Sequence, residues 1–181
     1  MLLVVAATER ELRGAAGAAT VACGIGPVEA AVATAHALAE RRPDAVLHVG
    51  IAGARGIEPP TLVLGSESVY CDALTPDSRS TIARVERVAP DPGLLAAARA
   101  ALPEARVLPI ATSARVGGGT ACDVEAMEGF GVLLAAAFAG VPALELRAVS
   151  NDVAEPDRAK WRFDDALAAL AAAVERVVAV L

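Results

Sequence analysis

The chain has 181 residues, of which 55 % are hydrophobic and 21 % are charged, and its formal net charge is −6. A chain of this length can bury roughly 70 % of its unfolded surface, so the composition predicts one globular domain over residues 1–181. The acidic balance argues against nucleic acid or an anionic membrane as the main partner, because both require a positive field.

Cysteine and histidine are both sparse. Cys23, Cys71 and Cys122 lie far apart, and His36 and His48 are isolated, so no Cys/His metal site is predicted. We expect three reduced thiols packed as small core residues, and packing roles for both histidines. The first residues carry no basic leader, and no apolar run is long enough to span a bilayer. These features predict a soluble cytoplasmic protein.

Predicted strands and helices alternate along the chain. The first helix follows Gly24-Ile25-Gly26 and begins at Pro27, a residue that suits the first turn of a helix. Its apolar residues recur at helical spacing and predict one buried face: Val28, Ala31, Val32, Ala35 and Leu38. The pattern predicts strands at 2–7, 19–23, 45–49, 62–70, 82–88, 106–112 and 143–149, and helices at 27–42, 92–102, 123–139 and from about 163 onward. Such alternation indicates an α/β fold with a largely parallel sheet covered by helices.

Glycine-rich or polar segments follow several of the predicted strands. "CGIGPVEAA", "HVGIAGARG" and "SARVGGGT" could each bring backbone close to a ligand, or could form plain tight turns. Ser150-Asn151-Asp152 follows the strand predicted at 143–149. In open α/β sheets ligands bind beyond the carboxyl ends of strands, but these residue types also favour turns for local reasons. Both interpretations stay open at this point.

Charged residues in apolar surroundings are the candidates for chemistry. Glu9 and Glu11 follow the first strand, where they suit either a helix N-terminus or a general base that holds water. Glu128 is predicted on a half-buried helix face, where sugar hydroxyls could satisfy it. Arg147, in a core strand, could contact the same ligand or form a structural pair with a carboxylate. Trp161 is expected to anchor the last helix or to line the pocket.

Five segments in one order carry a resemblance to a known family: "AATEREL", "CGIGPVEAA", "PDAVLHVGIAGA", "AMEG" and "LRAVSNDVA". Together they resemble the successive signatures of the purine nucleoside phosphorylase and nucleosidase superfamily. The resemblance implies a three-layer α/β fold with a mixed, partly closed sheet. It also implies cleavage of the N-glycosidic bond of a purine ribonucleoside, without metal or organic cofactor.

Within that superfamily, Ser150-Asn151 and the tail "DRAKWRFDDAL" resemble the futalosine hydrolases of the alternative menaquinone pathway, which release hypoxanthine. The related methylthioadenosine/adenosylhomocysteine nucleosidases usually place an aspartate where this chain has Asn151. An amide can donate to N7 and the 6-position of a 6-oxopurine, whereas an aspartate must be protonated to donate.

The resemblance also implies roles for individual residues. Glu11 matches the carboxylate that orients and deprotonates the attacking water, and Asn151 matches the residue that faces the purine N7 edge. The implied substrate-binding positions are Ile51, Ala52 and Gly53 at the pocket edge, Val116 whose backbone reads the base, Met127 and Glu128 at the sugar, Arg147 nearby, and Ser150 in support of Asn151.

Three features depart from the nucleosidase pattern. Ile51 replaces a common serine, Arg115 replaces a base-stacking phenylalanine, and the segment 72–84 is short compared with relatives. We therefore expect a homo-oligomer in which another subunit supplies part of the wall around the ribose 5′ substituent. Three alternatives remain: a methylthioadenosine/adenosylhomocysteine nucleosidase, a phosphorylase, for which Arg55 is the nearest candidate phosphate ligand, and a catalytically silent nucleoside-binding protein.

Overall fold

The computed structural model describes residues 1–73, 85–117 and 122–181, and within these ranges it has eight β-strands and four α-helices. The strands are β1 (Leu2–Ala6), β2 (Ala19–Ala22), β3 (Ala45–Ala54), β4 (Leu62–Tyr70), β5 (Arg87–Val88), β6 (Arg106–Thr112), β7 (Val124–Ala126) and β8 (Ala143–Asp152). The helices are α1 (Pro27–Arg41), α2 (Pro92–Ala101), α3 (Gly129–Ala139) and α4 (Phe163–Val178), with short 3₁₀ helices at Glu9–Leu12, Cys71–Ala73 and Arg158–Lys160. Part of the strand predicted at 82–88 and most of the short segment 72–84 lie outside the described residues.

All the described strands belong to one sheet that closes partly on itself. Its order is β2-β1-β3-β7-β6-β4-β5, and β8 pairs with both β3 and β4. The pairings β3–β7, β7–β6, β6–β4, β4–β8 and β8–β3 therefore complete a ring, while β1 and β2 extend from β3 as an open wing. Five pairings (β1–β2, β1–β3, β3–β8, β4–β6 and β6–β7) are parallel and three are antiparallel. The prediction of a mixed, largely parallel sheet is confirmed.

Helices cover both faces of this sheet. Successive residues of a strand point to opposite faces, and β1 shows this directly. Leu3 and Val5 pack in one core cluster with Val132 of α3, while Val4 packs in another with Leu170 of α4. The helices α1 and α3 share the first cluster, and α2 and α4 share the second. The result is the three-layer arrangement that the resemblance implies.

β3 and β8 both continue beyond their predicted ends. β3 runs through Ala54 and β8 runs through Asp152, and the two strands stay paired to those residues. The turn interpretations of "GIAGA" and of Ser150-Asn151-Asp152 are therefore wrong. Glycine and short polar residues lie in strands here because each extension hydrogen-bonds to the other, and tertiary pairing outweighs local preference.

The segment predicted as one helix at 123–139 forms two elements, a strand and a helix. Val124–Ala126 forms β7, which bridges β3 and β6, and α3 begins only at Gly129. A short buried apolar strand cannot be distinguished from a helix start by periodicity alone. Glu128 consequently occupies the N-cap position of α3 at a strand-to-helix junction, and its predicted place on a helix face is wrong.

The predicted buried face of α1 is correct at Leu38 and wrong at the two valines. Val28 and Val32 are 67 % and 66 % exposed, whereas α1 packs through Ala30, Thr34, Ala37 and Leu38. The reason is a close approach of α1 to α3, because a side chain at Gly131 would place its Cβ only 2.3 Å from the Pro27 carbonyl oxygen. Small residues therefore occupy the contact, and the valines face outward.

The remaining expectations have mixed outcomes. Cys23 is buried as predicted, but Cys71 and Cys122 are only half-buried. His48 is fully buried, whereas His36 lies exposed beside Glu40, so the packing role expected of it is wrong. In the described ranges, no helix is both long and apolar enough to cross a bilayer.

Candidate active site

A cavity of about 300 Å³ opens at the sheet edge where the parallel strands β1, β3 and β8 end. Its wall continues at the β7–α3 junction and at the start of α4. Nine of the ten residues predicted for the site line it: Glu11, Ile51, Ala52, Gly53, Val116, Met127, Glu128, Ser150 and Asn151. Residues from five parts of the sequence thus meet at one edge, where ligands of α/β sheets bind.

Glu11 is buried and held by three hydrogen bonds. Its Oε2 accepts from the Thr8 backbone N–H at 3.0 Å and from the Thr8 hydroxyl at 2.7 Å, while its Oε1 accepts from the Ile51 N–H at 3.1 Å. The bond from the Thr8 backbone N–H is one half of a capping box on the 3₁₀ helix that follows β1, and the Thr8 side chain caps the Glu11 N–H in the other half. Glu9, two positions earlier, is exposed and does not line the cavity. Oε1 keeps a free lone pair, so Glu11 can accept a further hydrogen bond from a water.

Glu128 is a buried carboxylate at the other side of the cavity. Its Oε1 accepts from the Gly26 N–H at 3.2 Å, and its Oε2 lies 3.7 Å from Nη2 of Arg147. Burial raises the pKa of Glu128, and the charges of Glu11 and Glu145 add to the rise. Arg147 and the Gly26 N–H lower the pKa without cancelling it. The backbone of the "CGIG" turn therefore does donate to an anion, but the anion is the Glu128 carboxylate of the same chain and not a ligand.

Arg147 does not line the cavity. It is fully buried behind it, where its Nε donates to Oε1 of Glu145 at 2.8 Å. A Cβ added at Gly50 would lie 2.1 Å from Nη1 of Arg147 and 3.0 Å from Oε1 of Glu11, so glycine leaves the space that these groups occupy. Of the two interpretations left open for Arg147, the structure shows the pair with buried carboxylates and not a place in the cavity wall, because the guanidinium is enclosed by β3 and β8.

A β-bulge presents Ser150 and Asn151 to the cavity. In the β3–β8 pairing, Ala52 lies opposite Val149 and Gly53 opposite Asn151, so Ser150 is the extra residue. The Ser150 Oγ lies 2.8 Å from Oδ1 of Asn151 and 3.2 Å from the Ala52 carbonyl oxygen. The hydrogen bond expected from Ser150 to the amide is therefore present.

The orientation of the Asn151 amide follows from its partners. Its Nδ2 donates to the Asp152 carbonyl oxygen at 3.0 Å, and the reversed amide would place two acceptors together there. One proton of Nδ2 is used in this bond, and the second remains available to a ligand in the cavity. Asn151 can therefore donate to a ring nitrogen or a carbonyl oxygen of a bound base.

Several cavity residues were not predicted as site residues. Phe163 and Leu167, one turn apart at the start of α4, line the wall together with Trp161. The Trp161 Nε1 donates to the Glu155 carbonyl oxygen at 3.0 Å, and its ring packs against Phe163, so it both anchors α4 and lines the cavity. The sequence did contain a signal for these two residues, a Phe and a Leu four residues apart at the first turn of the last helix. That turn lies at the carboxyl edge of the sheet, where the cavity opens.

Arg55, the candidate phosphate ligand, and Arg115, which replaces the base-stacking phenylalanine, both lie outside the cavity wall. Arg55 donates to the Cys122 carbonyl oxygen at 2.7 Å and pairs with Glu125 at 3.4 Å. Arg115 is exposed on the segment before Val116. The cavity thus combines two buried carboxylates, Glu11 and Glu128, with an amide donor at Asn151 and apolar walls between them.

Comparison with known proteins shows the family of this chain. The model of the phosphorylase superfamily matches residues 10–122. A futalosine hydrolase of Streptomyces coelicolor is 40 % identical over an alignment of 188 positions, which spans 89 % of this chain and 78 % of that protein.

Two solved structures share the fold. One is a futalosine hydrolase of Helicobacter pylori, with a TM-score of 0.87 and 16 % identity, covering 99 % of this chain and 97 % of the other. The second is a methylthioadenosine/adenosylhomocysteine nucleosidase of Streptococcus pneumoniae in complex with 8-aminoadenine, with a TM-score of 0.83, 20 % identity and 99 % coverage of both chains.

Proposed function

The chain belongs to the phosphorylase superfamily, and we propose that it hydrolyses the N-glycosidic bond of futalosine, releasing hypoxanthine and dehypoxanthine futalosine as a step of menaquinone biosynthesis. The observation that carries this proposal is the convergence of Glu11, Glu128 and Asn151 on one cavity. The 40 % identity to the Streptomyces coelicolor protein supports the choice of substrate.

Each of the three polar groups matches one requirement of the reaction. Breaking the bond from C1′ of ribose to N9 of the purine builds positive charge on the sugar and negative charge on the base. A water held by Glu11 attacks the sugar and loses its proton to the carboxylate. Glu128 accepts hydrogen bonds from the ribose hydroxyls, and the free proton of Asn151 stabilises the departing purine. The apolar walls exclude bulk water, which strengthens these interactions.

The position of the predicted phosphate ligand does not support phosphorolysis. A phosphorylase requires a phosphate site beside the sugar, and Arg55 was the residue predicted to provide it. Arg55 lies outside the cavity wall and is engaged by Cys122 and Glu125. Glu11, in contrast, lies in the wall with a lone pair open to water, which also favours catalysis over silent nucleoside binding.

A substrate panel tests this proposal. The protein is incubated in phosphate-free buffer with futalosine, inosine, methylthioadenosine and adenosylhomocysteine, and free base is measured by chromatography. We expect hypoxanthine release from futalosine to be fastest. If adenine release from methylthioadenosine were the fastest reaction, the proposed substrate would be wrong. Tight nucleoside binding without any release of free base would show that the protein is not an enzyme.

Asn151→Asp is expected to reduce the preference for 6-oxopurines. The amide donates without a protonation requirement, whereas an aspartate must be protonated to donate and suits adenine better. Losing one buried hydrogen bond costs about 1–3 kcal/mol, or roughly ten- to a hundredfold in discrimination. The measurement is the ratio of kcat/KM for inosine to that for adenosine in wild type and variant. An unchanged ratio would show that Asn151 does not read the 6-position, and Asn151→Ala should lower activity on both bases.

We further propose that the protein acts in the cytoplasm as a homo-oligomer. The support for a homo-oligomer is an apolar patch on the rim of the cavity. It is formed by Ile25, Val28 and Val32, which are 61 %, 67 % and 66 % exposed. Ile25 also lines the cavity, so the patch and the site are continuous. A second copy covering this patch would place its own residues beside the ribose 5′ substituent, as expected from the short segment 72–84.

The double substitution Val28→Glu and Val32→Glu is expected to dissociate the oligomer, because it would bury two unpaired charges in the contact. Size-exclusion chromatography with light scattering measures the mass, and kinetics should show a raised KM for futalosine. Val180→Glu provides a matched control on an exposed valine elsewhere. A wild-type protein that is monomeric at micromolar concentration would contradict the proposal.

A further inference from the structure

The Arg147 guanidinium behind the cavity is held in one orientation from several sides. Its Nε donates to Oε1 of Glu145 at 2.8 Å, its Nη2 lies 2.5 Å from Nε2 of His48, and its Nη1 lies 3.4 Å from the Ile51 carbonyl oxygen. In this orientation Nη2 also faces Oε2 of Glu128 at 3.7 Å. Burial lowers the pKa of Arg147, but the nearby carboxylates outweigh it, so the pKa is raised and the charge is permanent.

His48 can accept a hydrogen bond from Arg147 in only one tautomer. Its Nδ1 lies 2.9 Å from the Val5 carbonyl oxygen, which is an acceptor, so the ring proton is on Nδ1. Nε2 then carries a lone pair directed at Arg147. Burial and the charge of Arg147 lower the pKa of His48 well below its ordinary value, so the ring stays neutral and remains an acceptor. His48 thus links the β1 backbone to the guanidinium.

Glu145, on β8, also holds the Arg147 guanidinium in place. It is fully buried, and a Cβ at Gly129, the first residue of α3, would lie 2.2 Å from its Oε1. Its Oε2 has no hydrogen-bond donor among the described residues, so the bond that its Oε1 accepts from the Nε of Arg147 is the main contact that holds this carboxylate. A buried charge is retained at a cost of free energy, and here its one partner is the residue beside Glu128.

We propose that Glu145 and His48 are positioning residues: they fix the Arg147 guanidinium so that it faces Glu128, and through it they orient the carboxylate that binds the ribose. Neither residue lines the cavity, so both act through Arg147. The inference rests on the proposed function, because it assigns the ribose to Glu128. It also answers why a core strand carries both Glu145 and Arg147.

Two substitutions of His48 separate positioning from packing. The amide of Gln reaches the place of Nε2 and can accept from Arg147, whereas the amide of Asn reaches only the place of Nδ1 and keeps the bond to Val5. For His48→Asn we expect KM for the nucleoside to rise roughly ten- to a hundredfold, since a hydrogen bond to a charged group is lost. His48→Gln should recover most of this loss. Glu145→Gln and Glu145→Leu form a second pair, in which only Gln keeps an acceptor for Nε.

The readout compares the nucleoside with the free base. Hypoxanthine contacts the Asn151 side of the cavity and lacks ribose, so its Kd should change by less than about threefold in all four variants, a difference of under 1 kcal/mol. Thermal unfolding identifies any variant that fails to fold. ¹⁵N spectroscopy of His48 in the wild type gives a measurement independent of turnover, and we expect the proton on Nδ1 and none on Nε2.

Each result has a distinct meaning. Selective loss of nucleoside affinity in the Asn and Leu variants, with recovery in both Gln variants, supports positioning. Equal effects within each pair, equal losses for base and nucleoside, or a proton on Nε2 of His48 would overturn it. A wild-type protein that binds hypoxanthine but neither binds nor cleaves a nucleoside would refute the proposed function itself, and the inference with it.

Discussion

Glu11→Gln is expected to lower kcat for futalosine by roughly 10²–10⁴-fold, the usual contribution of a general base. The amide cannot take the proton of the attacking water. Base binding should change little, because Asn151 and Ser150 lie on another strand and are not bonded to Glu11. The measurements are kcat from base release under saturating substrate and Kd for hypoxanthine by calorimetry.

The matched control for this substitution is Glu9→Gln. Glu9 lies two positions earlier in the same 3₁₀ helix, is exposed and does not line the cavity, so its loss should leave kcat unchanged. Gln at position 11 must turn its NH₂ group toward either the Thr8 or the Ile51 N–H, and thermal unfolding should report that conflict. A kcat within about threefold of wild type for Glu11→Gln would show that another group activates the water.

Glu128→Gln should weaken nucleoside binding and turnover together, because Glu128 is proposed to hold the ribose in both the ground state and the transition state. A lost hydrogen bond to a charged group costs about 1.5–3 kcal/mol, so we expect kcat/KM to fall at least tenfold. Binding of hypoxanthine, which lacks the sugar, should be retained. A variant that loses hypoxanthine and nucleoside affinity equally would place Glu128 at the base instead.

The same residue determines the expected pH dependence. The active form of Glu128 is ionised, since only then does it attract Arg147 and accept from two hydroxyls. Burial raises its pKa, Glu11 and Glu145 add to the rise, and Arg147 opposes it, with a net increase. Activity is therefore lost as pH falls through a value above that of an exposed glutamate. Residual kcat/KM of Glu128→Gln should lack this limb, and an identical limb in wild type and variant would assign it to another group.

Position along the chain indicated some of the residues that meet in the cavity. Parallel strands that end at one edge bring together the residues that follow them, and this principle applies to Glu11 after β1 and to Asn151 at the end of β8. The apolar surroundings of Glu128 marked it as a candidate, and the resemblance added Met127 and Val116, which no periodicity indicated. The proposed chemistry of these residues stays a prediction until the substitutions are measured.

The failures came from information that lies in other parts of the chain. Gly50 to Ala54 extend β3 only because β8 pairs with them, and Val124–Ala126 is a strand only because β3 and β6 lie on either side. The orientation of α1 depends on the close approach of Gly131 in α3. The resemblance implied a place near the sugar for Arg147, but its enclosure by Glu145 and His48 depends on contacts in three dimensions. Local patterns do not report such partners.

The measurement that tests the central claim most directly is base release from futalosine as a function of phosphate concentration, with the sugar product identified by mass spectrometry. Water held by Glu11 is the proposed attacking group, so we predict full activity in phosphate-free buffer, no stimulation by added phosphate, and an unphosphorylated sugar product. Strict dependence on phosphate, with a sugar 1-phosphate as the product, would contradict the account.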